Sequence, residues 1–356
     1  MAPPPPSPLL THLLDELVGE ILVRLPPDEP ADILRASLVC KRWSRLLSDP
    51  AFGRRYRELH RAPPLLGFFH NTYESGPVPR FVSTVASPCS PPALHCSNWW
   101  TLDCRHDRVL IHRFGRPDLV VFDPLTGEQP HLPLPPYSHF FCAGAVLCSV
   151  AGCDHLDCHG GPFLVVFVGT NCDRATWASV YSSETGAWSA SSSVELGGRY
   201  IQAWPSLCIG DSLYFMVYRG RSILRYDLAV RGFSLIDVPA EYDDISTVVM
   251  VDDGRLGFMG VEDRNLHLWA WQEAGADGSA GWRRCRVIEL ATLLPGPDKT
   301  FSPRVVGFVE GTDIVFLSTD VGIFTLKIKS GRVAKVGEKR ARIAIVPYSS
   351  FCLPGV

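Results

Sequence analysis

The sequence predicts a mainly β protein with a small N-terminal α-helical module: a three-helix unit followed by a β-propeller of about six blades. Three observations predict this fold. Apolar residues recur with a helical period only near the N-terminus. From Leu65 onward, short apolar strands alternate with turns. A strand–turn–strand unit closed by glycine then returns roughly every fifty residues, and such a period is typical of propeller blades.

The composition indicates a globular protein and argues against several functions. Of its 356 residues, 46% are hydrophobic, which is enough for a sizeable core. The net charge of −3 produces no general attraction for nucleic acid or anionic membranes. No apolar stretch approaches the ~20 residues that span a bilayer, and the N-terminus lacks the basic region of a signal peptide. We therefore predict an intracellular protein, in cytoplasm and/or nucleus, that binds neither nucleic acid nor membrane and keeps its cysteines reduced.

The chain divides into three segments by composition. Residues 1–8 form a Pro-rich leader that we predict to be disordered. Residues 9–62 form the helical module, and residues 63–356 form the β-propeller-like domain. The boundary lies where the helical period of apolar residues gives way to the strand pattern.

Three helices are predicted in the module. The first is marked by apolar residues on one face, namely Leu14, Leu17, Val18, Ile21, Leu22 and Leu25. The second begins near Asp28, and the third covers roughly Arg42–Ser48, after which Asp49-Pro50 breaks the chain. So few helical residues make a poor independent core. The pattern alone leaves two alternatives open: the module completes its core against a partner, or it packs as a cap on the β domain.

Two runs in the module match a known family. These are Leu38-Val-Cys-Lys-Arg-Trp43 and Leu46-Leu-Ser-Asp-Pro50, within about forty residues that begin at Leu14. The segment resembles an F-box. It departs from that family at Leu14, where a proline typically opens the first helix. A proline there only presets the backbone angle φ, so this difference weakens the match little.

The F-box resemblance implies a partner. It implies docking on a Skp-type adaptor and, through it, on a cullin-RING ubiquitin ligase. In the family, apolar residues of these helices make the contact. The matching positions in this chain are Leu14, Leu17, Ile21, Leu25, Pro26, Leu34, Val39, Cys40 and Trp43. Some of them must belong to the internal core of the module, and the sequence does not separate the two groups.

A basic run covers residues 41–61. A nucleic-acid contact is one interpretation, but no groove-reading motif accompanies the run. A solvated helix face, or a linker docked on an acidic partner, is the interpretation that the charge pattern favours.

The repeat of the β domain is marked by glycines at 127, 186, 232, 281 and 331. The turn of such a hairpin commonly needs one residue at positive φ, and glycine adopts that conformation with the smallest energetic penalty. The unit Val120–Leu134, with its Asp-Pro-x-Thr-Gly turn, resembles the propeller-like domain that follows the F-box in many plant proteins. A β-sandwich or an irregular barrel is the alternative, but a sandwich has no reason to repeat so evenly over five copies. The ring can close if the strand Arg342–Val346 pairs near Leu66–Phe69.

Motifs of catalysis are absent from the sequence. It contains no phosphate-binding loop, dinucleotide fingerprint or nucleophile elbow. The best metal candidate is the segment 153–159 (Cys-Asp-His-Leu-Asp-Cys-His), with Cys142, Cys148 and Cys172 nearby, and a second cluster surrounds His95–Asp107. Neither has the spacing of usual zinc motifs, so the first is interpreted as a polar loop and the second, which contains His95, Cys96, Asp103, Cys104, His106 and Asp107, as loop and strand residues. We predict no catalytic residue, no cofactor and no metal.

These patterns together predict a non-enzymatic adaptor with two parts. The helices hold the ligase through the Skp-type adaptor, and the propeller binds an unknown target protein. Two alternatives remain: a scaffold of the same fold that works without a ligase, and a propeller enzyme such as a glycosidase, which needs two carboxylates facing each other across a pocket.

Overall fold

The computed structural model describes residues 8–73, 77–85, 98–156, 158, 160–218, 222–239, 246–251, 253–273, 280–295, 303–338 and 344–354. Within these ranges the chain forms four α-helices, then strands arranged as six sheets. No helix among these residues has the length and apolar character needed to cross a membrane.

The helices are α1 (Pro8–Leu22), α2 (Pro30–Val39), α3 (Lys41–Leu47) and α4 (Pro50–His60). The prediction of three helices was therefore one helix short. Asp49 caps α4, because its carboxylate accepts the Ala51 backbone N–H at 2.8 Å, and Pro50 occupies the first turn, where a missing N–H costs nothing. The pair Asp49-Pro50 thus starts a helix. Residues 1–7 of the predicted disordered leader lie outside the described residues. Its last residue, Pro8, is helical.

The strands, in chain order, are β1 (Leu65–Tyr73), β2 (Pro77–Ser83), β3 (Trp99–Arg105), β4 (Arg108–Arg113), β5 (Asp118–Phe122), β6 (His131–Pro133), β7 (Phe141–Cys148), β8 (Phe163–Thr170), β9 (Ala175–Ser182), β10 (Ala187–Trp188), β11 (Ser192–Glu195), β12 (Leu207–Ile209), β13 (Ser212–Met216), β14 (Ser222–Asp227), β15 (Gly232–Asp237), β16 (Thr247–Met250), β17 (Leu256–Glu262), β18 (Asn265–Gln272), β19 (Gly281–Glu289), β20 (Arg304–Phe308), β21 (Ile314–Thr319), β22 (Gly322–Lys327), β23 (Val333–Gly337) and β24 (Ile345–Ser349). A short 3-10 helix, Leu290–Thr292, follows β19.

The sheets are the six blades of a propeller, as predicted. Blades 1, 3, 4 and 5 are antiparallel meanders of four strands: β3–β6, β12–β15, β16–β19 and β20–β23. Blade 2 has the order β10-β9-β8-β7, and β11 also pairs with β9. Blade 6 joins the two ends of the β domain in the order β2-β1-β24.

Blade 6 closes the ring where the sequence predicted closure. Phe69 pairs with Val346, and His70 pairs with Ile345, in antiparallel register. The observed strand β24 begins at Ile345, and residues 342 and 343 of the predicted strand lie outside the described residues. Pairing the last strand with the first removes the free sheet edges that an open array would expose.

Three of the five marker glycines have the predicted conformation. Gly127, Gly186 and Gly331 have φ values of +77°, +66° and +70°. At the fourth position the left-handed residue is Arg231, with φ of +53°, while Gly232 already belongs to β15. The fifth, Gly281, is likewise the first residue of a strand, β19. The glycine therefore marks the turn in each repeat but does not always occupy its left-handed position.

The hydrophobic core lies between neighbouring blades. One cluster joins buried side chains of blades 3, 4 and 5, and another joins those of blades 1 and 2. Between blades 5 and 6, the rings of Phe68 and Phe316 meet edge to face at 5.2 Å. Burial of apolar surface is the main driving force for folding, so each blade is stabilised chiefly by its neighbours.

The helical module packs on the segment that follows β24. Phe351 and Leu353 join the buried residues of the helices, which are Leu22, Val23, Ile33, Ala36, Leu47, Phe52 and Tyr56. The rings of Tyr56 and Phe351 meet edge to face at 5.9 Å, and the Tyr56 hydroxyl donates to the Leu25 carbonyl at 2.8 Å. The module thus completes its core within the chain, which supports the cap alternative for its inner side.

We expect Phe351→Ala to loosen the helical module. Truncating a buried Phe leaves a cavity and costs about 3–5 kcal/mol. Amide hydrogen exchange should show faster exchange in α2 and α4 with little change in the strands of blades 3 to 5.

The control is Phe140→Ala, because Phe140 is 76% exposed and its truncation creates no cavity. If α2 and α4 keep wild-type protection in Phe351→Ala, the C-terminal segment does not hold the module.

Candidate functional site

A cavity of about 810 Å³ opens at one end of the ring. The innermost strands of the blades contact one another around the ring axis, for example β24 with β3 and β3 with β7. Many residues that line the cavity lie at the carboxyl ends of these strands, including Arg105, Cys148, Phe308 and Ser349. We call it the channel-mouth cavity. Pro63, which follows α4, also lines it, so the helical module sits at this end.

Arg105 links three blades at this cavity. Its Nε donates to Glu310 Oε2 at 2.9 Å, and its Nη1 donates to Asp103 Oδ2 at 2.5 Å and to Ser206 Oγ at 3.2 Å. Arg105 also pairs with Glu310 Oε1, and its Nη2 donates to the Ser206 carbonyl. The guanidinium is therefore bound to blade 1, to the start of blade 3 and, through Glu310, to the turn between β20 and β21 of blade 5.

The two carboxylates extend the network through backbone donors. Asp103 accepts the Val146 N–H at 2.8 Å, and Glu310 accepts the Cys208 N–H at 2.8 Å. Burial raises the pKa of Asp103 to about 6, although Arg105 acts in the opposite direction. Both carboxylates line the cavity, and both pair with the same guanidinium. The arrangement is a cross-link between blades, and it does not resemble an acid–base pair.

Sequence reasoning did not find this network. Asp103 was interpreted as a strand residue, and Arg105 and Glu310 were not considered. No local signal relates Arg105 to a carboxylate that lies 205 positions away in the sequence. The only available clue was charged residues, Asp103 and Arg105, within a strand that is otherwise apolar.

We expect Arg105→Met to destabilise the propeller by about 3–5 kcal/mol, because it leaves Asp103 and Glu310 without their buried counter-charge. Urea denaturation monitored by tryptophan fluorescence measures the change.

Arg255→Ala serves as the control. Arg255 pairs with Asp253 at the surface, where water screens the charges, so little change is expected. Equal stability of the two variants would contradict a structural role for the Arg105 network.

Aromatic side chains gather at the opposite end of the ring. Phe141 and Cys148 are the two ends of β7, and Cys148 lines the channel-mouth cavity, so Phe141 lies at the far end. Within the described residues, every exposed large aromatic side chain lies at this far end, beside the outer ends of β4, β7 and β13: Phe114, Tyr137, Phe140 and Tyr218. We call this set the distal aromatic surface.

A stacked row of rings supports the distal aromatic surface. Phe141 and Tyr200 stack at 3.8 Å between ring centroids, and Tyr200 and Tyr218 stack at 4.2 Å. The Arg174 guanidinium lies 5.0 Å from the Tyr200 ring centroid. Tyr218 of the distal aromatic surface is therefore packed against a stacked ring on one side, which restricts its rotamers.

The predicted adaptor-binding residues divide into two groups. Leu25, Leu34 and Trp43 are partly buried and pack against the module's internal core. The remaining residues with described side chains are exposed: Leu17, Ile21, Pro26, Val39 and Cys40. The side chain of Leu14 lies outside the described residues.

Leu38 was missing from the predicted set, yet it is 84% exposed, beside Val39 at 64%. Leu17 and Ile21 are 61% and 66% exposed and lie one turn apart on α1. An amphipathic pattern identifies apolar positions in a sequence. Only the packing shows that Leu38 and Val39, at the end of α2, are both exposed to solvent.

Several arginines of the basic run pair with acidic residues of this chain. Arg42 pairs with Asp15, Arg55 pairs with Glu20, and Arg54 pairs with both Glu58 and Asp154. These contacts agree with a solvated helix face.

Two groups of described side chains could hold a metal ion. One contains Cys148, Cys153, His155 and Cys158, and the other contains His112, His139 and Cys142; within each group the ligand atoms lie within 4.8 Å of one another. His159 of the first predicted cluster and His95 and Cys96 of the second lie outside the described residues. Cys142 belongs to the second group, so the structure separates it from Cys148.

The prediction that the cysteines are reduced is wrong for Cys352, which is disulfide-bonded. Nine other described cysteines are free thiols, among them the four that belong to the two groups of candidate metal ligands.

Comparisons with known proteins agree with this architecture. Residues 100–349 match the family described as F-box protein AT5G49610-like, beta-propeller, and residues 12–58 match the F-box-like family. The F-box protein At5g03970 of Arabidopsis thaliana is 24% identical over 390 residues, which cover 96% of this chain and 89% of that protein. The F-box protein At3g16210 of the same plant is 21% identical and covers 86% of this chain and 83% of its own.

Solved structures are more distant. A functionally unknown protein from Desulfotomaculum acetoxidans DSM 771 aligns with a TM-score of 0.42 and 13% identity, over 79% of this chain and 89% of that one. A similarity at this level supports no conclusion about function.

Proposed function

We propose that this chain, which belongs to the F-box protein AT5G49610-like β-propeller family, is the substrate-recognition subunit of a Skp-cullin-F-box ubiquitin ligase. In this proposal residues 9–62 dock a Skp-type adaptor, and residues 63–356 bind a target protein. The chain performs no chemistry of its own. It raises the effective concentration of the target near the ligase, which transfers ubiquitin. The proposed location is intracellular, in cytoplasm and/or nucleus, where such a ligase would work.

The observation that carries the proposal is a set of apolar side chains that the module leaves uncovered. The core of the module is complete, because Phe351 and Leu353 fill its inner side. Leu17, Ile21 and Leu38 nevertheless remain exposed. A fold that has already buried its core gains nothing from keeping large apolar residues in water, and grouped exposure of this kind marks a protein interface.

The exposed residues lie on consecutive helices. Leu17 and Ile21 form one face of α1, and Leu38, Val39 and Cys40 form the junction of α2 and α3. These positions belong to the segment that matches the F-box-like family. We propose that they, with Pro26 and Leu14, contact the Skp-type adaptor, while Leu25, Leu34 and Trp43 support them from within.

We expect the double variant Leu17→Asp/Ile21→Asp of the full chain to lose binding to a Skp-type adaptor. Two carboxylates placed in an apolar contact would have to be desolvated, which makes binding strongly unfavourable. Co-purification of the two proteins, followed by calorimetry, measures the loss, and circular dichroism verifies that the variant stays folded.

Leu59→Asp is the matched control. Leu59 is 54% exposed and lies on α4 of the same module, but outside the proposed interface. It should bind like wild type. A folded wild-type chain that fails to bind the adaptor would defeat the ligase proposal and favour a scaffold that works without a ligase.

For the target we propose the distal aromatic surface. Tyr, Trp and Arg dominate the energy of protein interfaces, and here Tyr200, Tyr218 and Arg174 form one stacked unit with exposed Phe140 beside it. The helical module occupies the other end of the ring, since Tyr56 packs on Phe351 there. A target bound at the distal aromatic surface therefore faces away from the adaptor and leaves the adaptor contact free.

We expect Phe140→Ala/Tyr218→Ala to reduce target binding by at least about tenfold, which is the effect of roughly 1.4 kcal/mol, and to leave adaptor binding unchanged. The readout is ubiquitylation, in a reconstituted ligase, of a protein captured by the wild-type chain.

Val287→Ala is the control for this surface, because Val287 is exposed on β19, in blade 4, away from the aromatic residues. Equal ubiquitylation with wild type and the aromatic variant would move the target site elsewhere on the propeller without affecting the adaptor proposal.

A further inference from the structure

The connection between β7 and β8 differs from the corresponding turns of other blades. It covers residues 149–162, whereas β3 and β4 are joined by residues 106–107, and β12 and β13 by residues 210–211. Within its described residues this connection forms no helix or strand. A long segment of this kind has few backbone hydrogen bonds to hold it, so its order depends on side chains.

Three side chains of this connection and that of Cys148, the last residue of β7, converge on one point. The sulfur atoms of Cys148, Cys153 and Cys158 and a ring nitrogen of His155 all lie within 4.8 Å of one another, and Cys158 Sγ lies 4.0 Å from His155 Nδ1. A tetrahedral zinc ion with Zn–S bonds of about 2.3 Å places its sulfur ligands roughly 3.8 Å apart. The donors therefore need to approach by only about an ångström to reach bonding geometry.

We propose that Cys148, Cys153, His155 and Cys158 bind a structural Zn²⁺ ion. Three thiolates and one imidazole are soft and borderline ligands, a set that favours zinc over calcium or magnesium. Four protein ligands complete a tetrahedron and leave no open position for substrate, which is the pattern of a structural site. The site is therefore assigned a role in folding and no role in catalysis.

The backbone explains how an unusual spacing can form such a site. Cys148 is the last residue of β7 and is fixed by pairing with Phe163. Gly152 has φ of +67° and His155 has φ of +56°, so the chain turns sharply on both sides of Cys153. These turns bring the later ligands back to the strand end. Spacing rules assume two close pairs of ligands, and for this reason they gave no zinc motif in the sequence.

The proposed ion would order a segment that contacts two other parts of the molecule, α4 and β4. Cys148, Cys153 and His155 line the channel-mouth cavity, and Asp154 pairs with Arg54 of α4 at 2.8 Å. Arg108 of β4 donates to the Gly161 carbonyl at 2.5 Å and to the Cys158 carbonyl at 3.3 Å. The ion itself would tie the connection to the end of β7 in blade 2. The ordered connection would then present its carbonyls to Arg108 of blade 1 and Asp154 to Arg54 of α4.

The first test is the zinc content of the full chain, purified without added metal and measured by mass spectrometry. We expect equimolar zinc in wild type and in Cys285→Ser, since Cys285 is an exposed free thiol on β19. Cys153→Ser and Cys158→Ser should lose most of the zinc, whereas His155→Cys should retain it because a fourth thiolate completes the same tetrahedron. A wild-type chain without zinc, or equal zinc in wild type and Cys158→Ser, overturns the proposal.

A second measurement uses wild-type protein, so it does not depend on the folding of a variant. Cobalt replaces zinc after removal of the metal with a chelator, and tetrahedral thiolate ligation gives intense visible absorption and a sulfur-to-cobalt charge-transfer band. Amide hydrogen exchange in residues 149–162 should rise on metal removal, with little change in blade 4. Absorption of octahedral cobalt, or unchanged exchange in this connection after chelation, overturns the structural site.

Discussion

The antiparallel pairing of β24 with β1 is the interaction on which the rest of the structure depends. It joins the two ends of the β domain in one blade, so that Phe69 lies opposite Val346 and no blade is left with an open side. The same pairing places the segment after β24 against the helices that precede β1. Phe351 and Leu353 can therefore complete the core of the helical module, and module and propeller become one packed unit.

Ring closure also gives the molecule two ends with different properties. One end carries the helices, the channel-mouth cavity and the long connection between β7 and β8. The other carries the distal aromatic surface, whose exposed rings are supported by stacked neighbours. An adaptor needs two surfaces that can be occupied together, and opposite ends of a closed ring satisfy that requirement through geometry alone.

Polar groups at the channel mouth add ion pairs and hydrogen bonds to the hydrophobic contacts that hold neighbouring blades together. Arg105 lies between Asp103 and Glu310, and these carboxylates accept backbone N–H groups of Val146 and Cys208. The network links blades 1, 3 and 5 at this end, and each of its buried charges has a partner. The proposed zinc site has a comparable role beside it, because a long irregular connection has no apolar core to order it.

By itself, the sequence determined the elements of this protein and their kind. The helical spacing of Leu17, Ile21 and Leu25 predicts a helix, and the recurring Gly turns predict blades. The residues near Leu38–Trp43 carry the family resemblance. Each of these signals is local, because it depends on residues that are close together in the chain. Tertiary structure alone decided which apolar residues are covered, since Leu25 packs inside while Leu38 stays in water. It also decided that Arg105 meets Glu310 and that Cys148 meets Cys158, because such contacts depend on closure of the ring and on the path of one connection.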